Sequence, residues 1–562
     1  MASKPGLFAR EATGLVREIG FSLGVVIILC HVIGLGWQKR AFQFSGPYPL
    51  PNDMMPLGLP AIFWAFLIIG IIVLITAYAA GYAAAAMPRS GGGYVTISRV
   101  IHPVVGYMGG WLMFLAEAFS FGLIGVAVFE GITIFFNIAL APTVISFTAV
   151  EYVIGGLIIV WAFSLLGMLG TKLYGRLLWA LFYIPAAITV LFFAMWIAGV
   201  MNPSLITTGV TNVMGASPSV FNTLAVNSGM LTHIASFPSA FAYAVLGAYW
   251  AYMGWYATTF IAGEVKEANK RLPMVLLTAG FVVMVVYLLA SSLSSIAAMK
   301  VAQFTADGHT WSFFQSYGWL SYPASGVTVS TAAIPHFQPA WTTGIASMIA
   351  RGMNLEVLSI IIAIGGVFWV ANDIPPFLLV ASRTFFAMSF DRMMPDRFAY
   401  VSERWHAPVW AIVITALFAS IACFVEAGVH PIDTWFSFAS VGGTDIFDAT
   451  FLTLFCASCM LLPLERKEIY DRAAVKHSIG TIVGLGFVAT LGSAFTWYIT
   501  VVADWSWVGS LFTAGAPAAD VISAAGFFLF IIIGILLYIG YMYRNTTKGV
   551  DMRTLYLSIP PE

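Results

Sequence analysis

The chain has 562 residues, of which 60% are apolar and only 9% are charged, and its mean hydropathy is +0.90. A water-soluble fold of this length needs far more polar surface, so the composition excludes a soluble globular protein. The formal net charge of zero says nothing about nucleic acid. The apolar composition indicates a lipid bilayer as the surroundings of the chain, and no nucleic-acid partner is expected.

The hydropathy pattern predicts an all-α polytopic membrane protein. A helix needs about 20 apolar residues to cross a bilayer, and twelve segments meet that criterion. No small-residue cleavage site follows the first segment, so it is interpreted as a retained span rather than a signal peptide. Spans 1 to 12 are predicted at residues 19–44, 60–86, 104–131, 150–169, 174–200, 238–262, 273–298, 354–384, 408–428, 433–462, 478–502 and 520–543.

The positive charges predict the orientation of these spans. If the N-terminus is cytoplasmic, 21 of the 25 lysines and arginines fall on the cytoplasmic side, and only Lys39, Arg40, Lys300 and Arg351 fall outside. The positive-inside rule requires an asymmetry of this kind. We therefore expect a multi-pass protein of the cell membrane with both termini in the cytoplasm.

Two spans carry an interruption near their middle. Span 6 contains Met253-Gly254-Trp255, and span 1 contains Ile33-Gly34-Leu35-Gly36. A break at bilayer depth is tolerated only where protein or a water-filled cavity surrounds it, and broken helices mark solute sites in transporters. Glycines that only let neighbouring helices approach closely are the alternative. Because the breaks occupy corresponding positions in two halves of five spans each, they predict an inverted repeat with a central site.

This repeat divides the chain into consecutive regions. The long connections are expected to cap the outer face, although the second, rich in aromatic residues, is also compatible with the interface belt. The regions are the cytoplasmic N-terminus at 1–18, the first five-span repeat at 19–200, an extracellular loop at 201–237, the second repeat at 238–462 with its extracellular loop at 299–353, two C-terminal spans at 463–543 and a cytoplasmic tail at 544–562.

Four stretches in this order resemble a known family. They are Ile33-Gly34-Leu35-Gly36; Pro88-Arg89-Ser90-Gly91-Gly92-Gly93-Tyr94, followed by Gly106-Tyr107-Met108-Gly109-Gly110-Trp111; the stretch from Trp250 through Gly263-Glu264-Val265-Lys266 to Pro273; and Ser382-Arg383 with Ala387-Met388, Asp391 and Met394-Pro395. Together they resemble the amino acid-polyamine-organocation (APC) family of permeases. The resemblance implies a LeuT-like fold of ten core helices in a five-plus-five inverted repeat, with two extra C-terminal helices.

The same resemblance implies a function. It is secondary active transport of amino acids, as a symporter or exchanger, by alternating access; transport of polyamines or other organic cations is the alternative. A membrane-embedded enzyme is a remote alternative, because Cys456 and Cys459 have redox spacing without the strand-helix context and the eight histidines show no paired ligand spacing. We therefore expect a small-molecule substrate, no catalytic residues and no disulfide.

The solute is expected between the two breaks. Free amides at a half-helix N-terminus attract a carboxylate, and free carbonyls at a half-helix C-terminus accept hydrogen bonds from an ammonium group. The predicted substrate-binding residues are Ile33, Gly34, Leu35 and Gly36 in span 1, and Trp250, Met253, Gly254 and Trp255 in span 6. Helix packing is the alternative role for the four residues of span 6. The family commonly has a small polar residue where Leu35 stands.

Carboxyl groups inside spans are the candidates for ion coupling, because a buried charge in the hydrocarbon is expensive and is functional by default. They are Asp373, Glu117, Asp445 and Asp448. The coupling ion would be a proton or, near Asp373, a sodium ion; no other cofactor or metal is expected. Asp373 could instead hold the ammonium group of a substrate, or be a protonated carboxyl bonded to a neighbouring helix. Local capping is the alternative for Asp445 and Asp448. Some relatives have a carboxylate where Tyr256 stands.

A charged cluster on the cytoplasmic side resembles the family's inner gate. Its members are Arg89, Glu264, Lys266 and Arg383. Cytoplasmic loops are basic in any membrane protein, so the gate role and the topological role of these residues are compatible.

Overall fold

The computed structural model describes residues 6–561, without the side chains of residue 171 and of residues 503–507. The first five residues of the predicted N-terminal segment and residue 562 of the predicted tail therefore lie outside the described residues. Within them, 11 helices are long and apolar enough to cross a membrane, and they correspond to every predicted span except span 6. The all-α polytopic fold is confirmed. These helices are Phe21–Gln43, Ala61–Ala86, Pro103–Ala139, Ala149–Met168, Lys172–Met201, Ala268–Met299, Glu356–Phe390, Val409–Glu426, Val441–Glu465, Ile479–Val502 and Ala518–Thr547.

Span 6 is the remaining predicted span, and it is divided into short pieces. Its first half is the helix Phe237–Tyr252, and after a non-helical stretch it continues as Ala257–Phe260 and a 3-10 turn at Ala262–Glu264. Span 1 is divided in the same way, into Phe21–Val32 and Leu35–Gln43. Both spans are therefore broken where glycine interrupts the apolar sequence.

Span 8 contains a third interruption, which the sequence analysis did not predict. It consists of Glu356–Ala371 and Ile374–Phe390, with Asn372 and Asp373 in the turn between them. Pro375 and Pro376 occupy the first turn of the second helix, where their missing amide protons remove no helical hydrogen bond of that helix. The same missing protons leave carbonyls of the preceding helix without their usual amide donors, so the helical hydrogen bonds are interrupted at Asp373 while its backbone stays in the helical region.

Predicted and observed ends of span 8 differ for an electrostatic reason. The predicted end at residue 384 follows Arg383, whose charge is typical of a membrane boundary. In the structure the helix continues to Phe390, because the Arg383 side chain is buried and paired with Glu264 inside the protein.

The remaining elements are short and lie in the connections. The helices are Asn52–Met54, Pro56–Gly58, Gly93–Val100, Ser204–Met214, Pro218–Asn227, Met230–His233, Phe313–Ser321, Thr342–Gly352, Asp396–Ala399, Ile432–Trp435, Ser437–Ala439, Lys467–Arg472, Gly509–Phe512 and Met552–Leu557, and the strands Phe304–Ala306 and His309–Trp311 form one antiparallel hairpin.

The two long connections pack together over one face of the bundle, which we call the loop face. Trp319 Nε1 donates a hydrogen bond to Ser228 Oγ at 2.9 Å, joining the second connection to the first. The helix Thr342–Gly352 is buried along most of its length, and Thr343 Oγ1 donates to Gln38 Oε1 of span 1 at 2.7 Å. The second connection therefore covers the bundle and contacts the half of span 1 that follows the break.

Both ends of the described chain lie at the opposite face, which we call the termini face. Ile19 forms a parallel β-bridge with Val265 at the end of span 6, with its amide donating to the Glu264 carbonyl at 3.0 Å. Arg89 Nε donates to the Pro560 carbonyl at 2.6 Å. The N-terminal segment and the C-terminal tail thus pack against the ends of the core spans.

Candidate functional site

The breaks of spans 1 and 6 face each other in the middle of the bundle. Gly254 lies in the span 6 break with a φ of +102°, a conformation that strains any residue with a side chain. A Cβ at this position would stand 2.6 Å from the ring of His31 in span 1. The break therefore needs glycine both for its backbone and for its contact with span 1.

Tyr287 of span 7 contacts both breaks. Its hydroxyl lies 2.7 Å from the carbonyl oxygen of Ala251 and also within hydrogen-bonding distance of the Val32 carbonyl. Both carbonyls belong to the last turn before a break, where helical carbonyls lack the amide that would normally pair with them. The sequence analysis missed this residue, because a tyrosine in an apolar span carries no signal that separates it from packing residues.

A narrow cavity of about 30 Å³ lies between the two breaks. Spans 1, 3, 6, 8 and 10 contribute its walls. The lining residues are His31, Val32, Gly36, Ala116, Glu117, Ser120, Trp250, Ala251, Met253, Tyr256, Asp373, Phe377, Thr444, Asp445 and Asp448. All four carboxyl groups that the sequence marked as coupling candidates therefore line one cavity.

Tyr256 joins two of these carboxyl groups. Its hydroxyl oxygen lies 2.6 Å from Glu117 Oε1 and 2.8 Å from Asp448 Oδ2, and all three side chains are buried. A phenol carries one proton, so it can donate to only one carboxylate at a time. The second short contact is a hydrogen bond only if that carboxyl group carries a proton and donates it to the phenolic oxygen. The geometry therefore fits a trio, Glu117, Tyr256 and Asp448, that shares one additional proton.

His31 is the basic side chain beside this trio. Its Nε2 lies 3.5 Å from Glu117 Oε2, its Nδ1 has no hydrogen-bond partner among the described residues, and its ring packs edge-on against Phe377 at 4.4 Å. A 3.5 Å separation is too long for a strong hydrogen bond. The imidazole is therefore held mainly by packing, with one ring nitrogen directed at Glu117.

Asp373 lies at the start of the second helix of span 8, against the break of span 1. A Cβ built on Gly34 would stand 2.7 Å from Asp373 Oδ2, so the carboxyl group touches the backbone where the second half of span 1 begins. Asp373 Oδ1 is buried and has no hydrogen-bond partner within the described residues. This carboxyl group therefore lies at the positive end of a half-helix with one acceptor oxygen unused.

The residues predicted to bind the solute occupy two positions relative to the cavity. Gly36, Trp250 and Met253 line it. Five others are buried outside the lining and form the backbone of the two breaks or pack behind the wall: Ile33, Gly34, Leu35, Gly254 and Trp255.

Two cations of span 1 lie toward the loop face. Lys39 Nζ pairs with Glu130 Oε1 at 2.8 Å, and the Arg40 guanidinium lies 4.1 Å from the centre of the Trp250 ring. Asp445 and Glu426 lie within electrostatic range of Arg40. Both positive charges are thus balanced by nearby acidic groups and do not reach into the cavity lining.

On the termini face, a buried ion pair joins spans 6 and 8. Arg383 donates through Nε to Glu264 Oε1 at 2.9 Å and through a terminal nitrogen to Glu264 Oε2 at 3.2 Å. The two side chains are only 2% and 0% exposed. Of the other residues predicted for the inner gate, Lys266 is exposed, and Arg89 bonds to the C-terminal tail.

A second buried pair, which the sequence analysis did not single out, lies on the same face of the bundle. Arg99 donates to the two carboxylate oxygens of Asp391 at 2.5 and 2.7 Å, and the Tyr94 hydroxyl donates to Asp391 at 2.8 Å. Asp391 belongs to a stretch quoted for the family resemblance, but Arg99 is an isolated charge about three hundred residues earlier in the sequence. Only the tertiary fold brings them together.

Two comparisons with known proteins bear on this site. A family model described as Amino acid permease matches residues 55–551. A curated protein of Schizosaccharomyces pombe, named probable amino-acid permease meu22, is 25% identical over 395 residues, which cover 67% of this chain and 57% of that protein. The chain therefore spans little more than half the length of this relative.

Proposed function

The chain belongs to the amino acid permease family, and from this premise we propose that it is a secondary active transporter that carries an amino acid or a related amine across the cell membrane by alternating access. The family identifies a multi-pass membrane transporter rather than an enzyme. The observation that carries the proposal is the cavity between the breaks of spans 1 and 6, lined by four carboxyl groups. Broken helices around a midplane cavity are the usual construction of a solute site in transporters.

Contacts between the half-helices support the five-plus-five inverted repeat, with halves at residues 19–200 and 238–462. The half of span 1 before its break packs against the piece of span 6 after its break, and the half of span 1 after its break packs against the first half of span 6. Spans 1 and 6 therefore run antiparallel. Span 2 also packs against span 7, and span 3 against span 8. Corresponding spans meet in this way when a two-fold axis in the membrane plane relates the two repeats.

The two faces of the bundle supply the barriers that alternating access requires. Buried ion pairs close the termini face, where Glu264 meets Arg383 and Arg99 meets Asp391. Toward the loop face the cavity walls are less completely covered, since Trp250, Met253 and Asp445 keep partial exposure. We assign the termini face to the cytoplasm, because it carries most of the lysines and arginines.

We assign the proton as the coupling ion. The two contacts of the Tyr256 hydroxyl are both hydrogen bonds only if Glu117, Tyr256 and Asp448 together hold one proton more than two ionised carboxylates and a phenol would. Release of that proton would leave two facing carboxylates with a single donor between them, which is unfavourable in a buried site. Loading and unloading of this proton can therefore be linked to occupation of the cavity.

The test is uptake of labelled amino acids and amines into proteoliposomes. We expect a proton gradient to drive accumulation of the solute in the vesicles. The gradient is directed inward if the solute enters together with a proton, and outward if it enters in exchange for one. For one proton per solute, accumulation should reach up to about tenfold per pH unit. A sodium gradient at equal pH on both sides is expected to drive none. Accumulation driven by sodium alone would overturn the proton assignment and move coupling to a sodium site at Asp373.

A further inference from the structure

The charges that face the cavity are unevenly distributed. Its lining contains Glu117, Asp373, Asp445 and Asp448, whereas none of the described lining residues is a lysine or an arginine. His31 is the single basic group among them, and it faces Glu117. A zwitterion with one ammonium and one carboxylate would meet several acidic groups and hardly any fixed positive charge.

The place where a solute carboxylate would bind lies beside an acidic side chain. Free amides at the start of a half-helix are the natural anion site at a break. In span 1 this start is at Gly34, and the Asp373 carboxyl group lies against it, 2.7 Å from the position of a Cβ on Gly34. A second carboxylate placed at the same backbone would be brought next to Asp373, and like charges at this distance repel.

The acidic groups also leave acceptor oxygens unused. Asp373 Oδ1 and Asp448 Oδ1 are buried and without hydrogen-bond partners among the described residues. A buried polar atom without a partner costs free energy that a bound donor recovers. An ammonium or guanidinium group supplies several donors together with the opposite charge.

Neighbouring cations do not satisfy these oxygens. Lys39 is paired with Glu130, and Arg40 is stacked on Trp250 within range of Asp445 and Glu426. Lys39 and Arg40 therefore leave the unused oxygens of Asp373 and Asp448 available to a bound molecule.

We propose that the solute of this cavity carries a net positive charge, as an amine or a cationic amino acid, and that Asp373 accepts its cationic group. This inference rests on the proposed transport function and narrows its substrate class. In such a complex the Asp373 carboxylate is held between the half-helix of span 1 and the ammonium or guanidinium group of the solute.

Three molecules of nearly equal length test whether binding requires a net positive charge on the solute. Norleucine is neutral, lysine adds a second ammonium group, and cadaverine is lysine without its carboxylate. Binding is measured as the rise in the unfolding temperature of the purified full chain, because a ligand of the folded state stabilises it by mass action. Potassium chloride at matched ionic strength controls for salt. We expect lysine, cadaverine or both to raise the unfolding temperature at concentrations where norleucine does not, and their ranking separates a cationic amino acid from an amine.

The variant Asp373→Asn tests whether Asp373 binds the cationic group of the solute. The substitution removes the negative charge that would accept hydrogen bonds from the solute cation. Because hydrogen bonds between charged groups contribute strongly to binding free energy, the affinity for the cationic solute should fall about tenfold or more. The matched control is Asp307→Asn, an exposed position in the hairpin of the loop face, which should bind as the unchanged protein does. Unchanged affinity in Asp373→Asn, with its unfolding temperature in the absence of solute preserved, would contradict the assignment of this residue.

Binding of norleucine, lysine and cadaverine to the unchanged protein tests the charge of the solute even if the variant does not fold. Binding of norleucine at least as tight as that of lysine and cadaverine would overturn the inference, and so would failure of both cations to bind. If neutral amino acids exchange across the membrane in that case, the transport function stands and only the cationic substrate class is lost. If no amino acid or amine exchanges, the transport function itself fails.

Discussion

Glu117→Gln is expected to abolish accumulation driven by a pH gradient while exchange of labelled solute across the membrane continues. The amide has the shape of a protonated carboxyl group but cannot release a proton. It preserves hydrogen bonding to Tyr256, which lies 2.6 Å from Glu117 Oε1. The trio therefore stays in its protonated arrangement, and solute movement is no longer linked to proton movement.

The measurement compares two modes of transport in the same proteoliposomes, namely uptake under a pH gradient and counterflow without one. The matched control is Glu356→Gln, at a carboxylate that is 70% exposed and far from the cavity lining, and it should accumulate solute as the unchanged protein does. Full accumulation by Glu117→Gln would exclude Glu117 as the proton carrier. Loss of counterflow together with accumulation would show a role in binding rather than in coupling.

Arg383→Ala is expected to cause the largest loss of stability. The substitution removes the guanidinium that pairs with the buried Glu264 carboxylate, and breaking a buried ion pair from one side costs about 3–5 kcal/mol in free energy of unfolding. The pair is almost fully buried, at 2% and 0% exposure, so water cannot replace the missing guanidinium. Denaturant titration of the protein in detergent measures the change.

Two further variants distinguish the cost of an unbalanced buried charge from the cost of lost packing in Arg383→Ala. The double variant Glu264→Gln with Arg383→Met removes both charges and should recover most of the stability, since buried pairs replaced by neutral side chains are often near neutral. Arg271→Ala breaks an exposed pair with Glu267, whose side chains are 48% and 54% exposed, and should cost less than about 1 kcal/mol. A loss in Arg383→Ala no larger than in Arg271→Ala would contradict the structural role of the buried pair.

The sequence predicted those features of the fold that depend on local composition. Apolar runs of about 20 residues mark each crossing because a helix of that length spans the hydrocarbon. Glycine inside such a run, as in Gly34 and Gly254, weakens the helix locally, and both positions are breaks in the structure. The interruption at Asp373 was within reach of the same reasoning, since Pro375 and Pro376 follow it.

The site depends on contacts that no local pattern encodes. Glu117, Asp373 and Asp448 lie in three different spans, and only the packing of spans 3, 8 and 10 brings them to one cavity. Tyr256 was interpreted as the loss of a carboxylate that some relatives have. The structure gives it another role, because its hydroxyl joins two carboxyl groups supplied by other spans.

The position of Arg383 also depends on a contact that the local sequence does not reveal. A charge near the end of an apolar run is normally a boundary, because a lone charge is costly in the hydrocarbon. The cost disappears when a partner from another span neutralises it, and Glu264 is such a partner. Hydropathy cannot anticipate a partner more than a hundred residues away, so the predicted end of span 8 was too early.

Counterflow in proteoliposomes tests the central claim most directly. Vesicles containing the purified protein are loaded with an excess of unlabelled amino acids and amines and diluted into labelled solute, without any ion gradient. A transporter with a single solute site that alternates between the two faces should take up label transiently above the level of empty vesicles, and the unlabelled solute it carries should abolish that uptake when added outside. Failure of every amino acid and amine to exchange would contradict the account.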